Sequence, residues 1–349
     1  MDTHLRLQLP LEIKAEFIKK LFDHDLESKV SQESELLSEC YFRYQAEQCQ
    51  LALFNNRQCT DATYCDIIDI INSLRCENLA RDDLRTRIEK RFGLEDCDCE
   101  CASSTEKMDF ANNLIDLALR LWLMIPIGCF RQISVPGSEL EWRQGSLYDG
   151  IAAQFTKSGQ VKESVSLGKV FNARNLDRIG GLRIIWTNNL VDHLRMHDDD
   201  TRVSIFHHAT FLIYQKQMRD RIFPSGFIEE TLQTLALLLP CHDTKVKKWY
   251  RSQNLRFALD KNAIKNPPLK TEDRQLDKFE FWHDRLAILK DVFDDAEPST
   301  IVQWWQDRRR RVQWYTFWVA VLVLILTILF GVIQSIEGGM QVYKTYHPS

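Results

Sequence analysis

The stretch RRRRVQWYTFWVAVLVLILTILFGVIQSIEGG, Arg308 to Gly339, constrains this chain more than any other. No charged residue lies between Arg311 and Glu337, and the most apolar part, Trp314 to Ile333, is 20 residues long. At a helical rise of about 1.5 Å per residue, that part measures about 30 Å, the thickness of a bilayer's hydrocarbon core. A helix also satisfies every backbone polar group internally, as hydrocarbon requires. Soluble core helices seldom run this long without a charge, so residues 314–333 are expected to span a membrane. Trp304, Trp305, Arg308, Arg309, Arg310, Arg311, Trp314, Tyr315 and Trp318 form the expected interface set, since aromatic rings and cations favour the headgroup level. The arginines precede the span and only Lys344 follows it, so the body is expected on the cytosolic side. The start, MDTHLRLQLPLEIKAEF, is charged and carries no continuous apolar core. The expectation is a tail-anchored, single-pass protein; nothing in the span chooses a membrane. Gly331 is read as lacking a second small residue at i+4, which sets aside a G-x-x-x-G dimer.

Outside the span, the length suits one or two globular domains. A hydrophobic share of 44% with 11% aromatics excludes a disordered chain. The net charge of -4 gives no global case for nucleic-acid binding. Ten cysteines in a cytosolic body read as reduced thiols, and Cys40, Cys49, Cys59, Cys65 and Cys76 as small buried hydrophobes.

The patterning predicts a mainly α fold: a helical body with one small antiparallel sheet or hairpin, and one C-terminal transmembrane helix. PLEIKAEFIKKLFDH puts Leu11, Ile13, Phe17, Ile18, Leu21 and Phe22 largely on one helical face. The expected organisation is an acidic helical domain over 1–96, a cysteine-rich linker over 97–105, an α-rich domain over 106–295 with its sheet at 182–207, a juxtamembrane helix over 296–313, the span, and a short tail over 334–349. DHLRMHDDDTRVSIFHH reads as a hairpin with HDDDT at the turn. The order of elements across 146–207 echoes a winged helix, with Phe171–Ile179 as its reading helix. Residues 243–275 read as an irregular, basic connection. Phe279, Trp282, Leu286, Leu289 and Phe293 fall at spacings of three and four, an apolar seam suited to the body, a protein partner or a second copy.

Three constellations could carry chemistry. CDCEC offers Cys97, Cys99 and Cys101, but structural zinc sites space thiolates as C-x2-4-C with a second pair elsewhere. Asp192, His193, His197, Asp198, Asp199, Asp200, His207 and His208 crowd the predicted hairpin and could build a metal or catalytic site, or a solvated turn beside core histidines. The stretch 245–270 carries Lys245, Lys247, Lys248, Arg251, Arg256, Lys261, Lys265 and Lys270, interleaved with Trp249, Tyr250 and Phe257. Such a stretch could lie on an anionic leaflet. H-E-x-x-H, G-x-S-x-G, Walker A and dinucleotide fingerprints do not occur, and no cofactor is expected.

FNARNLDRIGGLRIIWTNNLVDHLRM, FPSGFIEETLQTLALLLP and FEFWHDRLAILKDVFDDAEPSTIVQWWQDRRRRVQWYTFWVAVLVLILTILFGVIQSIEG together resemble a family of uncharacterised filamentous-fungal proteins anchored to membranes at the C-terminus. The likeness covers roughly residues 105–345. It implies a fungal source and membrane attachment, and it transfers no catalytic residue. The expected function is a membrane-anchored interaction or adaptor protein. Its alternatives are a metal-dependent enzyme at the cluster over 192–208 and a membrane-perturbing defence effector.

Overall fold

A computed structural model describes residues 3–7, 9–22, 34–55, 62–77, 79–93, 104–128, 137–158, 165–218, 220–296 and 311–346. The N-terminal helices are α1 (Leu11–Phe22), α2 (Ser34–Asn55), α3 (Tyr64–Glu77), α4 (Arg81–Arg91) and α5 (Ser104–Leu123). Then come α6 (Leu147–Gln154), α7 (Ala173–Arg178), β1 (Arg183–Thr187), β2 (Met196–His197) and β3 (Arg202–Phe206). The body closes with α8 (Ala209–Gln217), α9 (Phe227–Leu238), α10 (Thr244–Phe257) and α11 (His283–Asp295), and α12 covers Arg311–Tyr346. Helices dominate and the sheet is small, as the apolar spacing predicts.

On α1, Phe17, Ile18, Leu21 and Phe22 are buried, so the one-faced pattern does turn to the core. Helix α5 packs on α2, α3 and α4, and one continuous apolar cluster runs from Leu5 to Phe293. The segments 1–96 and 106–295 therefore share a core. Buried polar ties cross it. Tyr41 and Tyr44 donate to the Leu121 and Arg120 carbonyls at 2.7 and 3.0 Å. Arg120 is buried and donates to the carbonyls of Ile127 and Gly128 and to Gln48. Arg81 reaches Asp116 at 2.6 Å and the Trp142 carbonyl at 3.0 Å. Gly128 sits at φ +74, where an added Cβ would stand 1.8 Å from the Asp116 carboxylate. Only glycine fits that turn.

The sheet order is β1-β3-β2. The β2–β3 arm is the antiparallel hairpin that the sequence indicates, with Met196 opposite Val203. Strand β1 joins β3 in parallel, Arg183 opposite Arg202. Helix α7, the proposed reader of a winged helix, is six residues long and packs on β1 with Ala173 and Leu176 buried.

The polar run over 243–275 is not irregular. It opens as the 14-residue helix α10 and continues in short 3-10 turns at 261–264 and 272–274. Asp243 starts α10 by accepting the Lys245 and Val246 amides, and the apolar i, i+3, i+4 set Val246, Trp249 and Tyr250 is buried.

Helix α12 is 36 residues long, about 54 Å at the usual rise, and contains the expected 314–333 span. Its apolar segment runs Tyr315–Tyr343, and the most apolar 18-residue stretch within it has mean hydropathy 2.8 and buries none of itself in the body. One C-terminal helix is thus long and apolar enough to cross a membrane. Thr327 and Ser335 hydroxyls donate to the Val323 and Gly331 carbonyls, so both are satisfied within the helix. Position 335 is serine, so Gly331 does have a small residue four on, with Gly339 four beyond; the opposite reading was mistaken.

Candidate functional site

His193, His207 and His208 are core groups, each with at least one ring nitrogen hydrogen-bonded. His193 is fully buried. Its Nδ1 accepts the Phe206 amide at 3.1 Å, which leaves the proton on Nε2 for Thr234 Oγ1 at 2.7 Å. Thr234 in turn donates to the Thr231 carbonyl, so the chain of bonds closes inside α9. His207 Nδ1 accepts the Asp260 amide at 3.3 Å, and His208 Nε2 meets Asn188 Oδ1 at 2.8 Å. The His207 and His208 rings stack at 4.1 Å. Burial pushes His193 and His207 down to about 3, and His208 well below the usual imidazole range. Neutral rings of such low basicity are poor general bases at neutral pH.

The carboxylates of the same region point elsewhere. Asp192 pairs with Arg195 at 3.0 Å and accepts from Asn189 at 2.8 Å. Asp198, Asp199 and Asp200 lie at φ 51, 49 and 61 and form the hairpin tip, where Asp198 pairs with Arg202. Aspartate tolerates this left-handed conformation better than most residues. His197 is tied to Ser204 at 2.8 Å. The fold therefore spreads the cluster over a core, an ion pair and a turn. Among the described residues, no group of three or more His, Cys, Asp and Glu is gathered to hold a metal. Cys97, Cys99 and Cys101 lie outside the described residues.

Two hollows remain. One of about 150 Å3 lies between α2, β1 and the end of α10, lined by Cys40, Arg43, Glu47, Trp186, Asn188 and His207 among others. Burial pushes the Cys40 thiol up to about 12, so it is no nucleophile. The other, about 430 Å3, lies against α3 and α4, with Ile70, Leu84 and Ile88 among its lining residues. Arg87 bridges to Glu77, and Arg91 to Asp66 and Asp69, around it. Sequence reasoning pointed to neither; the first joins segments far apart in the chain, and the second lies almost wholly between the successive helices α3 and α4. Of the thiols read as buried, Cys40 and Cys49 are, Cys65 is half-buried, Cys76 is exposed, and Cys59 lies outside the described residues.

The seam Phe279, Trp282, Leu286, Leu289 and Phe293 packs on its own body, each at most 2% exposed. It is not free for a partner or a second copy, which corrects one expectation. Trp282 is held by Thr231 at 2.9 Å, and Glu230 receives the amides of Glu280, Phe281 and Trp282 at 2.8–2.9 Å just before α11.

Of the expected interface residues, Tyr315 is exposed and Trp318 half-buried on α12, and Arg311 opens that helix. Trp304, Trp305, Arg308, Arg309 and Arg310, with most of the expected juxtamembrane helix, lie outside the described residues, as do the side chains of Arg311 and Trp314. The bases of α10 are described in full. Lys245, Lys248, Arg251 and Arg256 are exposed, Lys247 is half-buried, and Trp249 and Tyr250 face the core.

No family model matches the chain, and neither does any curated protein or solved structure.

Proposed function

We propose that this chain is a membrane-anchored interaction protein whose body stands in the cytosol on the single C-terminal helix α12. The observation that carries the reading is the apolar segment Tyr315–Tyr343, which contributes nothing to the body's core. A surface of that size in water would be a severe liability. In a bilayer its exposure is what the helix requires. The arginine run 308–311 precedes the span, which favours a cytosolic body. The resemblance to C-terminally anchored fungal proteins points the same way.

The buried imidazoles and the inert Cys40 thiol weigh against the enzyme reading. A fluorescent protein fused to the N-terminus tests the anchor, beside a copy truncated after Asp307. The full chain should mark one membrane while the truncation is diffuse. If both are diffuse, α12 is no anchor and the reading fails.

A further inference from the structure

We propose that the outer face of α10 rests on the anionic surface of the bilayer that holds α12. This inference builds on the anchoring reading above. The helix TKVKKWYRSQNLRF carries five bases and no acid. At 3.6 residues per turn, Lys248, Arg251, Ser252 and Leu255 lie on the side away from buried Val246, Trp249 and Tyr250, with Lys245 and Arg256 at the edge beside Trp249. All six are exposed, and Leu255 is 92% exposed in the middle of the cations. Phe257 at the helix end is 42% exposed, with the Arg256 guanidinium over its ring.

None of the five bases of α10 pairs with a carboxylate among the described residues, whereas Lys261 beyond the helix meets Glu39 at 3.5 Å. The helix packed against α10 adds more positive charge. Trp249 Nε1 donates to Asp177 of α7 at 3.1 Å, which ties up the acid of that helix and leaves Arg174 and Arg178 beside it.

A single exposed leucine is ordinary, and a solvated basic helix is ordinary too. Their combination on one face suits a helix lying in the interface plane. There the cations meet lipid phosphates and carboxylates, and the apolar tip enters the acyl boundary. The tether removes most of the cost of encounter. Nucleic acid is the competing polyanion, and the net charge of -4 with a membrane tether disfavours it.

The test uses the full chain with an environment-sensitive fluorescent amino acid at position 255, and in a second protein at Phe54, which is 81% exposed on α2. Each is reconstituted into vesicles of phosphatidylcholine alone or with phosphatidylserine. Flotation first reports whether the chain is in the membrane. The expected result is flotation with both lipids, and a blue shift at position 255 only with phosphatidylserine. That shift should vanish at about 1 M salt, where screening shortens to about 3 Å, and in the K248E/R251E variant. Position 54 should not respond. Flotation without a shift at 255 overturns this inference and leaves the anchor standing. Failure to float overturns both. A shift at both positions, or one produced by added RNA and not by lipid, also overturns it.

Discussion

Mild acid should destabilise this protein, through its buried histidines. His193, His207 and His208 are neutral in the fold: burial holds His193 and His207 down to about 3 and His208 well below the ordinary 6.5. The unfolded chain therefore binds more protons than the folded one, and stability falls as pH drops through 6.5. One unit below, near pH 5.5, each unfolded imidazole is mostly charged and each buried one is not. The loss is about 1.4 kcal/mol per ring, so about 4 kcal/mol for three. Folded domains commonly hold only about 5–15 kcal/mol in all. Burial raises Asp116, Asp192, Glu230 and Asp260, which act in the opposite sense, with a window beginning above their ordinary values near 4. Comparing the chain with its H193Q variant, in which these carboxylates are unchanged, isolates the histidine contribution from theirs. The assay is urea unfolding of the chain in detergent micelles between about pH 7.5 and 5.5. A slope approaching three protons is expected, and H193Q should remove about one of them. Stability that is flat across this range would refute the assignment of these rings as neutral core groups.

Three substitutions probe the packing. Gly128→Ala forces a Cβ into the Asp116 carboxylate at a positive φ and breaks the Arg81–Asp116 pair, so a loss of about 3 kcal/mol or more should appear in the unfolding midpoint. Glu230→Gln keeps one carbonyl acceptor but turns an NH2 toward an amide donor before α11; a loss of about 2–4 kcal/mol is expected, and a change under about 0.5 would show that the three amides find other partners. Leu289→Ala should lose about 2–5 kcal/mol while the mass in detergent by light scattering stays unchanged, whereas a change of oligomeric state with little loss would return the seam to a partner surface.

Much of the fold was legible because it is local. Phe17, Ile18, Leu21 and Phe22 report one helix face, and HDDDT reports a turn. The misreadings share a cause. In α10 every exposed position is polar or basic apart from Leu255 and Phe257, and only three residues, Val246, Trp249 and Tyr250, reach the core, so the composition masked the period. The parallel pairing of β1 on β3 depends on a register that no local signal encodes. The histidines looked like ligands because the sequence does not show that Thr234 and the Asp260 amide, 41 and 53 residues away, take their ring nitrogens. The seam was identified correctly as apolar, but only Leu286, Leu289 and Phe293 lie on α11 while Phe279 and Trp282 precede it, and periodicity cannot say which surface covers it. Neither hollow had a sequence signal; at the first, α2 meets β1 and α10 only in three dimensions.

The central claim is that α12 spans a bilayer with the body in the cytosol. The most direct measurement is alkaline carbonate extraction of membranes from expressing cells, then protease treatment of intact vesicles, with epitopes on both ends of the chain. The account predicts that the chain stays in the pellet, that the N-terminal epitope is digested without detergent, and that the C-terminal one is protected. A chain released by carbonate would show that α12 does not span. A protected N-terminal epitope would show that the orientation is reversed.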